Sequence, residues 1–229
     1  MSTPAIDQDP LVRVGRGRAL AGLCLTQVVG CGVLYYAFPV ALAAIAADTG
    51  WSETVATTAF STGLLVSAVA GILVGRLLDR HGPRPVMTAG SVVAVPALIV
   101  IGLAPNPAVF LAGWILAGLA MAAVFYPAAF AALTRWYGPD RVRALTVLTL
   151  AGGLASTVFA PVTALLLELH SWRVTYLILA ATLAVLTIPA HAFCSPRGGW
   201  PAPEPGPPRP IPASGPSCAA AGSCCCAPG

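Results

Sequence analysis

The segment that decides the fold reads Gly75-Arg76-Leu77-Leu78-Asp79-Arg80-His81-Gly82-Pro83-Arg84, and it lies between two long apolar runs. It contains three arginines and one aspartate, whereas the runs on either side carry no charged residue for about twenty positions. Glycine followed by proline ends a helix, and Pro85 can open the next helix in its first turn. The segment therefore predicts a tight loop that joins two membrane helices at one side of a bilayer.

The composition of the whole chain points to the same class of protein. The 229 residues are 57% hydrophobic and 9% charged, and the mean hydropathy is +0.83. Soluble domains carry about 25% charged residues, so this chain lacks the polar surface that a soluble fold needs. We therefore predict an all-α membrane protein that crosses the bilayer several times. All twelve basic residues are arginines in separate segments, which argues against a nucleic-acid-binding patch.

Six apolar runs are each long enough to cross the hydrocarbon core at about 1.5 Å per residue. The predicted helices cover about residues 19–47, 52–78, 85–104, 108–133, 144–167 and 172–193. Ser52 is the expected N-cap of the second helix, and the small-xxx-small spacing of Gly71 and Gly75 lets a neighbouring helix approach closely. The chain then divides into a cytoplasmic N-terminal segment (1–18), a six-helix transmembrane bundle (19–193) and a disordered Pro/Gly/Cys-rich tail (194–229).

The tail has no hydrophobic periodicity and cannot bury enough apolar surface to fold alone. Cys224-Cys225-Cys226 lacks the spacing of a zinc site, so neither a metal nor another cofactor is predicted. The abrupt loss of the apolar pattern suggests the frameshifted end of a truncated gene. Translation of the downstream DNA in the other frames would test this, because further apolar helices should then appear.

The distribution of arginines predicts the orientation. Eleven of the twelve arginines lie in alternate connecting segments or in the termini that share their side, and Arg173 alone lies on the other side. Because arginine is enriched in cytoplasmic loops, both termini are expected in the cytoplasm. The expected location is a bacterial inner (plasma) membrane, as an integral multi-pass protein.

Two sequence matches indicate an internal repeat. Tyr35-Tyr36-Ala37-Phe38-Pro39 in the first helix resembles Phe125-Tyr126-Pro127 in the fourth, and the prolines are 127 − 39 = 88 positions apart. Residues 77–84 resemble residues 166–173, and their acidic residues are 168 − 79 = 89 positions apart. An offset of three helices inverts the second copy in the membrane, and paired interrupted helices in inverted repeats are typical of a transporter's binding site. Chance similarity in an Ala/Leu-rich chain is the alternative.

These features resemble the N-terminal half of a major facilitator superfamily transporter, over about residues 15–193. The residues that match the family's loop between helices 2 and 3 are Gly75, Leu77, Asp79, Arg80, Gly82 and Arg84. Pro83 departs from that pattern, since a basic residue is usual there. The resemblance implies two inverted three-helix repeats that form half of a twelve-helix fold, and thus a chain truncated to its N-terminal half.

Other motifs favour particular branches of the superfamily. Gly50-Trp51-Ser52 and the stretch from Arg135 to Gly153 are similar to the monocarboxylate-porter-like and oxalate/formate-antiporter-like branches. Drug/proton antiporters carry an arginine where this chain has Trp114, and a Gly-Pro pair where it has Ala160-Pro161. Both departures argue against multidrug efflux.

The resemblance also implies candidate functional residues. The gating motif would comprise Gly75, Asp79, Arg80, Gly82 and Arg84, with Asp79 helping to latch the two halves in the outward-facing state. The first and fourth helices would line the cavity, and the candidate lining residues are Thr26, Gln27, Tyr35, Tyr36, Phe38, Phe125 and Tyr126. The predicted helix interiors hold no Asp, Glu, Lys or Arg, so hydroxyl and amide groups would bind a carboxylate there. The alternatives are a solvated loop for the motif and packing or interfacial roles for the aromatic residues.

The predicted function is therefore transport of small solutes, such as the organic anions of the monocarboxylate class, by alternating access. The expected partners are the lipid bilayer, a small-molecule substrate and a second six-helix half or a second copy, and no nucleic acid. Alternatives are a non-transporting truncated fragment or a membrane scaffold, with drug efflux less favoured.

An enzyme is not expected. An intramembrane serine protease would need a Ser-His pair at mid-membrane. Ser156 is central in its helix, but His170 and His191 lie near helix ends, and His191 is expected at the membrane interface.

Overall fold

A computed structural model describes residues 10–137 and 140–194, and the described residues form helices without any strand. The helices are α1 (Pro10–Cys31), a π turn (Gly32–Tyr36), α2 (Ala37–Thr49), α3 (Glu53–His81), α4 (Pro83–Gly102), α5 (Pro107–Val124), α6 (Tyr126–Tyr137), α7 (Arg141–Leu169) and α8 (Trp172–Cys194). Six stretches of this described part are long and apolar enough to cross a membrane. They are spans 1 to 6: Gly17–Thr49, Glu53–His81, Pro83–Gly102, Pro107–Thr134, Arg141–Leu169 and Trp172–Ala192. The predicted all-α membrane fold is confirmed.

The ends of the helices follow local chemistry. Ser52 caps span 2 as predicted, since its hydroxyl accepts a hydrogen bond from the backbone N–H of Val55 at 3.3 Å. Asn106 caps span 4 in the same way. The first helix begins at Pro10, before the predicted start at residue 19, so part of the predicted N-terminal segment is helical. The tail falls outside the described residues, except that α8 extends to Cys194.

The packing of the spans has the symmetry of an inverted repeat. Span 2 packs on span 4, span 5 packs on span 1, and spans 3 and 6 pack on each other. Exchanging spans 1–3 with spans 4–6 leaves this arrangement unchanged. The predicted pair of inverted three-helix repeats is therefore confirmed. Spans 1 and 4 are the most enclosed: in an 18-residue apolar stretch of each, 56% of the residues are buried, against 22% in the corresponding stretches of spans 2 and 5.

Glycines mark the closest helix contacts, but not where the sequence suggested. A Cβ at Gly63 of span 2 would lie 2.6 Å from the carbonyl oxygen of Trp114, and one at Gly118 of span 4 would overlap the carbonyl of Gly63. The two backbones therefore touch at this crossing. No described atom of a neighbouring helix lies within 4 Å of a Cβ built at Gly71 or Gly75, so no described helix makes the close approach that their spacing permits. Small-xxx-small spacing permits a contact without specifying it.

A polar clamp ties three spans together at one end of the bundle, which we call the Asp48 end. The Arg173 guanidinium, at the start of span 6, donates to the carbonyl oxygens of Gly102 at 3.2 Å and Ala104 at 2.9 Å, where span 3 ends. The Trp172 indole N–H donates to Asp48 at 2.8 Å, and the Arg173 Nε lies 3.7 Å from the same carboxylate. Because a helix C-terminus attracts cations, the Arg173 guanidinium satisfies carbonyl groups at the end of span 3. Its contact with Asp48 also ties span 6 to span 1.

Candidate functional site

Spans 1 and 4 are both interrupted, at positions related by the repeat. In span 1 the interruption is the π turn Gly32–Tyr36. In span 4 the helix breaks at Phe125, whose backbone is extended, with φ of −75° and ψ of −178°. The predicted positions are confirmed, but span 1 is not broken at Pro39, because helix α2 continues through that residue. A π turn adds one residue to a helical turn and is frequent at functional sites.

Span 5 packs against both interruptions. The Phe159 ring lies directly over Gly32 of the π turn, where a Cβ would collide with it. The Tyr126 hydroxyl, just after the break, lies against Gly152 in the same way. Gly152 and Phe159 are seven residues apart and both buried, so one face of span 5 contacts both sites.

The partly buried aromatic candidates cluster at these interruptions. Tyr36 lies in the π turn, Phe125 is the break residue, and Tyr126 lies near Tyr36 and Cys31. Tyr35 is 38% exposed and its ring lies 5.1 Å from that of Tyr36. The interruptions therefore bring Tyr36 of span 1 near Tyr126 of span 4, while the Tyr35 ring also lies 5.6 Å from that of Phe60 in span 2.

The other cavity candidates lie inside the bundle. Thr26 and Gln27 are each 1% exposed, and both bond within span 1: the Thr26 hydroxyl donates to Leu23 O at 3.1 Å, and the Gln27 amide donates to Cys31 Sγ at 3.0 Å. Phe38 is buried in the aromatic core, stacked on Phe60 with ring centroids 4.4 Å apart. Thr26, Gln27 and Phe38 therefore have little accessible surface. Their role in lining a cavity remains a prediction.

The predicted gating segment forms the tight junction that its sequence indicates. Span 2 ends at His81, and Gly82 reverses the chain with φ 81° and ψ 170° before Pro83 opens span 3. Asp79 and Arg80 are exposed, although Asp79 interacts with another group of the chain. The end of the bundle that carries this junction is called the motif end. The gating roles of these residues, of Gly75 and of the half-buried Arg84 stay a prediction.

Two surface cavities lie elsewhere, at the start of span 2 on the Asp48 end. One of about 360 Å³ lies between spans 2 and 4 and is lined by Thr54, Val55, Thr58, Ala59, Pro107, Ala108 and Leu111. The other, of about 480 Å³, runs along span 2 and is lined by Glu53, Thr54, Thr57, Thr58, Ser61, Thr62 and Leu65. Neither cavity includes a tyrosine from the interruptions. Among the described residues, no group of three or more His, Cys, Asp or Glu side chains could hold a metal ion.

One polar contact was missed from the sequence. His191 was expected at the membrane interface, but it is 1% exposed and bonded to Ser91 of span 3, with Oγ and Nδ1 2.8 Å apart. That expectation is wrong because span 6 turns this side chain toward span 3. The available signal was a histidine within an apolar run, since ionisable residues there face the protein interior.

Six spans in two inverted repeats, with paired interruptions in spans 1 and 4, define a polytopic membrane protein of the transporter type. The sequence model of the Major Facilitator Superfamily matches residues 23–222. The chain belongs to this superfamily.

Curated relatives carry names from two functional groups. The chain is 35% identical over 166 residues to the cephamycin export protein CmcT of Amycolatopsis lactamdurans, covering 69% of this chain and 33% of CmcT. It is 36% identical to the multidrug resistance protein MdtL of Escherichia coli O6:K15:H31 (strain 536 / UPEC), covering 71% of this chain and 42% of MdtL. It is 33% identical to human monocarboxylate transporter 11, covering 66% of this chain and 30% of that protein.

A solved structure has the same fold. It is a bacterial homolog of the human lysosomal transporter Spinster, in an inward-facing and unoccupied conformation, and the TM-score is 0.64 at 17% identity. The match covers 84% of this chain and 46% of that structure. The chain thus spans about a third to under half the length of the proteins it matches. Because both exporters and a monocarboxylate transporter are similar to it, the prediction against drug efflux stays a prediction.

Proposed function

We propose that this chain forms one six-span half of a transporter that moves small organic anions, such as monocarboxylates, by alternating access. The observation that carries the proposal is the pair of interruptions in spans 1 and 4, both packed on span 5. Interrupted helices in symmetry-related positions are where transporters bind their solutes. The complete carrier would include a second six-span half or a second copy of this chain. From the positive-inside rule we expect the motif end in the cytoplasm.

The substrate class follows from the groups available at the interruptions. Tyr36 and Tyr126 offer hydroxyl donors beside aromatic surface, and the nearest stretches of spans 1 and 4 contain no charged residue. A phenol can donate to a carboxylate without the desolvation cost of burying a second charge. Such a site suits a small carboxylate with an apolar body.

Binding to the chain in lipid nanodiscs tests the substrate class. Lactate and the lipophilic cation ethidium are the two probes, and Tyr126→Phe is the informative variant. A hydrogen bond to a charged group contributes about 1.5–3 kcal/mol, so the lactate Kd should rise by about 10- to 100-fold. Tyr176→Phe is the matched control, because its buried hydroxyl has no hydrogen-bond partner among the described residues.

The outcomes separate the candidates. Lactate binding that Tyr126→Phe weakens and Tyr176→Phe leaves unchanged supports an organic-anion site. Drug export is the second candidate, favoured by the similarity to CmcT and MdtL. Ethidium binding without lactate binding would support it and overturn the anion proposal.

A further inference from the structure

We propose that the Ser91–His191 hydrogen bond is a proton-sensitive pin, which joins spans 3 and 6 near the motif end and releases them when His191 is protonated. The two residues are 100 positions apart and their side chains are 0% and 1% exposed. Ser91 lies eight residues into span 3, or about 12 Å from its start at 1.5 Å per residue. The pin therefore lies within the membrane-spanning part of the bundle.

The geometry of the imidazole makes the contact depend on its protonation. Nδ1 lies 2.8 Å from the Ser91 Oγ, whereas Nε2 is buried and has no hydrogen-bond partner among the described residues. A neutral ring leaves one nitrogen without a partner, whichever tautomer it adopts. A protonated ring would place a full positive charge in the interior, where the Ser91 hydroxyl, a neutral group, is its one hydrogen-bond partner in the described part of the chain. Burying an uncompensated charge is far less favourable than burying a neutral group.

Among the described residues, no Asp or Glu side chain is buried in the bundle where it could balance that charge. Asp79, at the end of span 2, is exposed. Span 6 packs on spans 3 and 1, and less extensively on span 5. The ionisable side chains with described positions near the motif end of these spans are Arg84 of span 3, Arg18 and Cys24 of span 1, and Arg141 and Arg143 of span 5. Asp140 precedes span 5 and is exposed, while Asp48 and Glu168 lie at the other end. A protonated His191 would thus lie on the same side as several arginines.

The two ends of the contact between spans 3 and 6 are held differently. At the Asp48 end the clamp uses the Arg173 guanidinium and the Trp172 indole, and no histidine takes part in it. A Cβ at Gly102 there would lie 3.1 Å from the Tyr176 Cβ, so the helices also touch closely. The other copy of the internal repeat has no equivalent of this hydrogen bond, because the positions related to Ser91 and His191 by the 89-residue offset are Ala180 and Gly102. Protonation would therefore loosen the motif end and leave the clamp in place.

The stability of the full chain in nanodiscs, measured as a function of pH, tests the proposal. The chain has three histidines, and the other two, His81 and His170, are exposed at helix ends. The stabilising contact exists while His191 is neutral and is lost as the pH falls. A free imidazole takes up its proton below about pH 6.5. Below that pH, His191 should raise the equilibrium constant for unfolding by up to tenfold for each unit by which the pH falls.

Variants isolate the residue responsible. His191→Asn places a neutral amide near the Nδ1 position at every pH, so its stability should vary less with pH than that of the wild type. The double variant His81→Asn, His170→Asn is the matched control and should keep the wild-type pH dependence. If His191→Asn also keeps it, or the wild type shows none, the proposal is overturned.

Hydrogen exchange distinguishes a local pin from general unfolding. Wild type and His191→Asn are compared at the same pH, which removes the intrinsic pH dependence of exchange. At pH 5, residues 83–92 and 186–192 of the wild type should lose protection relative to the variant, while residues 96–104 and 172–180 should not. Equal loss at both ends would overturn the proposal, because it would mean that the whole contact opens together.

Discussion

Replacement of Gly152 by alanine should destabilise the bundle relative to the same replacement at its neighbour Gly153. A Cβ at Gly152 would overlap the Tyr126 hydroxyl and lie 2.7 Å from Cζ and 3.1 Å from Cε1 of the same ring. A Cβ at Gly153 has no described atom within 4 Å. Alanine raises helix propensity by about 1 kcal/mol at either position, so this contribution cancels between the two variants. The remaining difference is the cost of overpacking, about 1–3 kcal/mol against Gly152→Ala.

Unfolding of both variants in the same nanodiscs, followed by tryptophan fluorescence, gives this difference directly. Tyr126→Phe, introduced into the wild type and into Gly152→Ala, completes a double-mutant cycle. Removal of the hydroxyl relieves the closest contact but leaves the ring carbons near Gly152, so the rescue should be partial. Equal stability of the two glycine variants, or an absence of coupling to Tyr126→Phe, would refute the packing of span 5 on the span 4 break.

Three further predictions concern the two ends of the bundle and the isolated chain. Arg173→Ala should lower the free energy of unfolding by about 1–2 kcal/mol, because it removes two bonds to the end of span 3 from a side chain that is 33% exposed; Arg173→Lys should recover only part of it. Gly82→Ala should cost about 1–3 kcal/mol, since its φ of 81° and ψ of 170° are accessible essentially to glycine alone, whereas Gly75→Ala, in open space inside helix α3, should stabilise the chain by up to about 1 kcal/mol through helix propensity. The isolated chain in proteoliposomes should not take up radiolabelled lactate, since a single six-span half supplies one wall of a central cavity; robust uptake would contradict this and indicate assembly of two copies.

The sequence predicts the spans well because their determinants are local. Long apolar runs, the Ser52 cap and the Gly82-Pro83 turn each act within a few residues, and the structure contains all of them. The offset of the prolines also located both interruptions. Their nature was not predictable, because Pro39 and Pro127 look alike in sequence. The difference depends on what packs beside them, including Phe159 on Gly32, more than a hundred residues away.

The features that the sequence did not predict are contacts between residues far apart in the chain. Gly71 and Gly75 have the spacing of a helix contact, yet the backbones of spans 2 and 4 meet at Gly63 and Gly118. The sequence spacing shows which face of a helix carries small residues. Whether a contact forms there depends on which face the partner helix packs against. The Ser91–His191 bond has the same character: the apolar run indicates that His191 faces the interior, but nothing near Ser91 in the sequence identifies it as the partner.

The break in span 4 also divides the hydrophobic core. The larger cluster of buried side chains includes Phe38, Trp114 and Tyr176. A smaller, separate cluster surrounds α6 at the motif end and joins Leu78 before the Gly82 turn to Leu133 of α6. Because an extended residue at Phe125 separates α5 from α6, a shift of α6 would disturb the smaller cluster and leave the larger one intact. A shift of α6, which follows the span 4 break and shares the smaller cluster with Leu78, is therefore expected to alter the packing of the motif end.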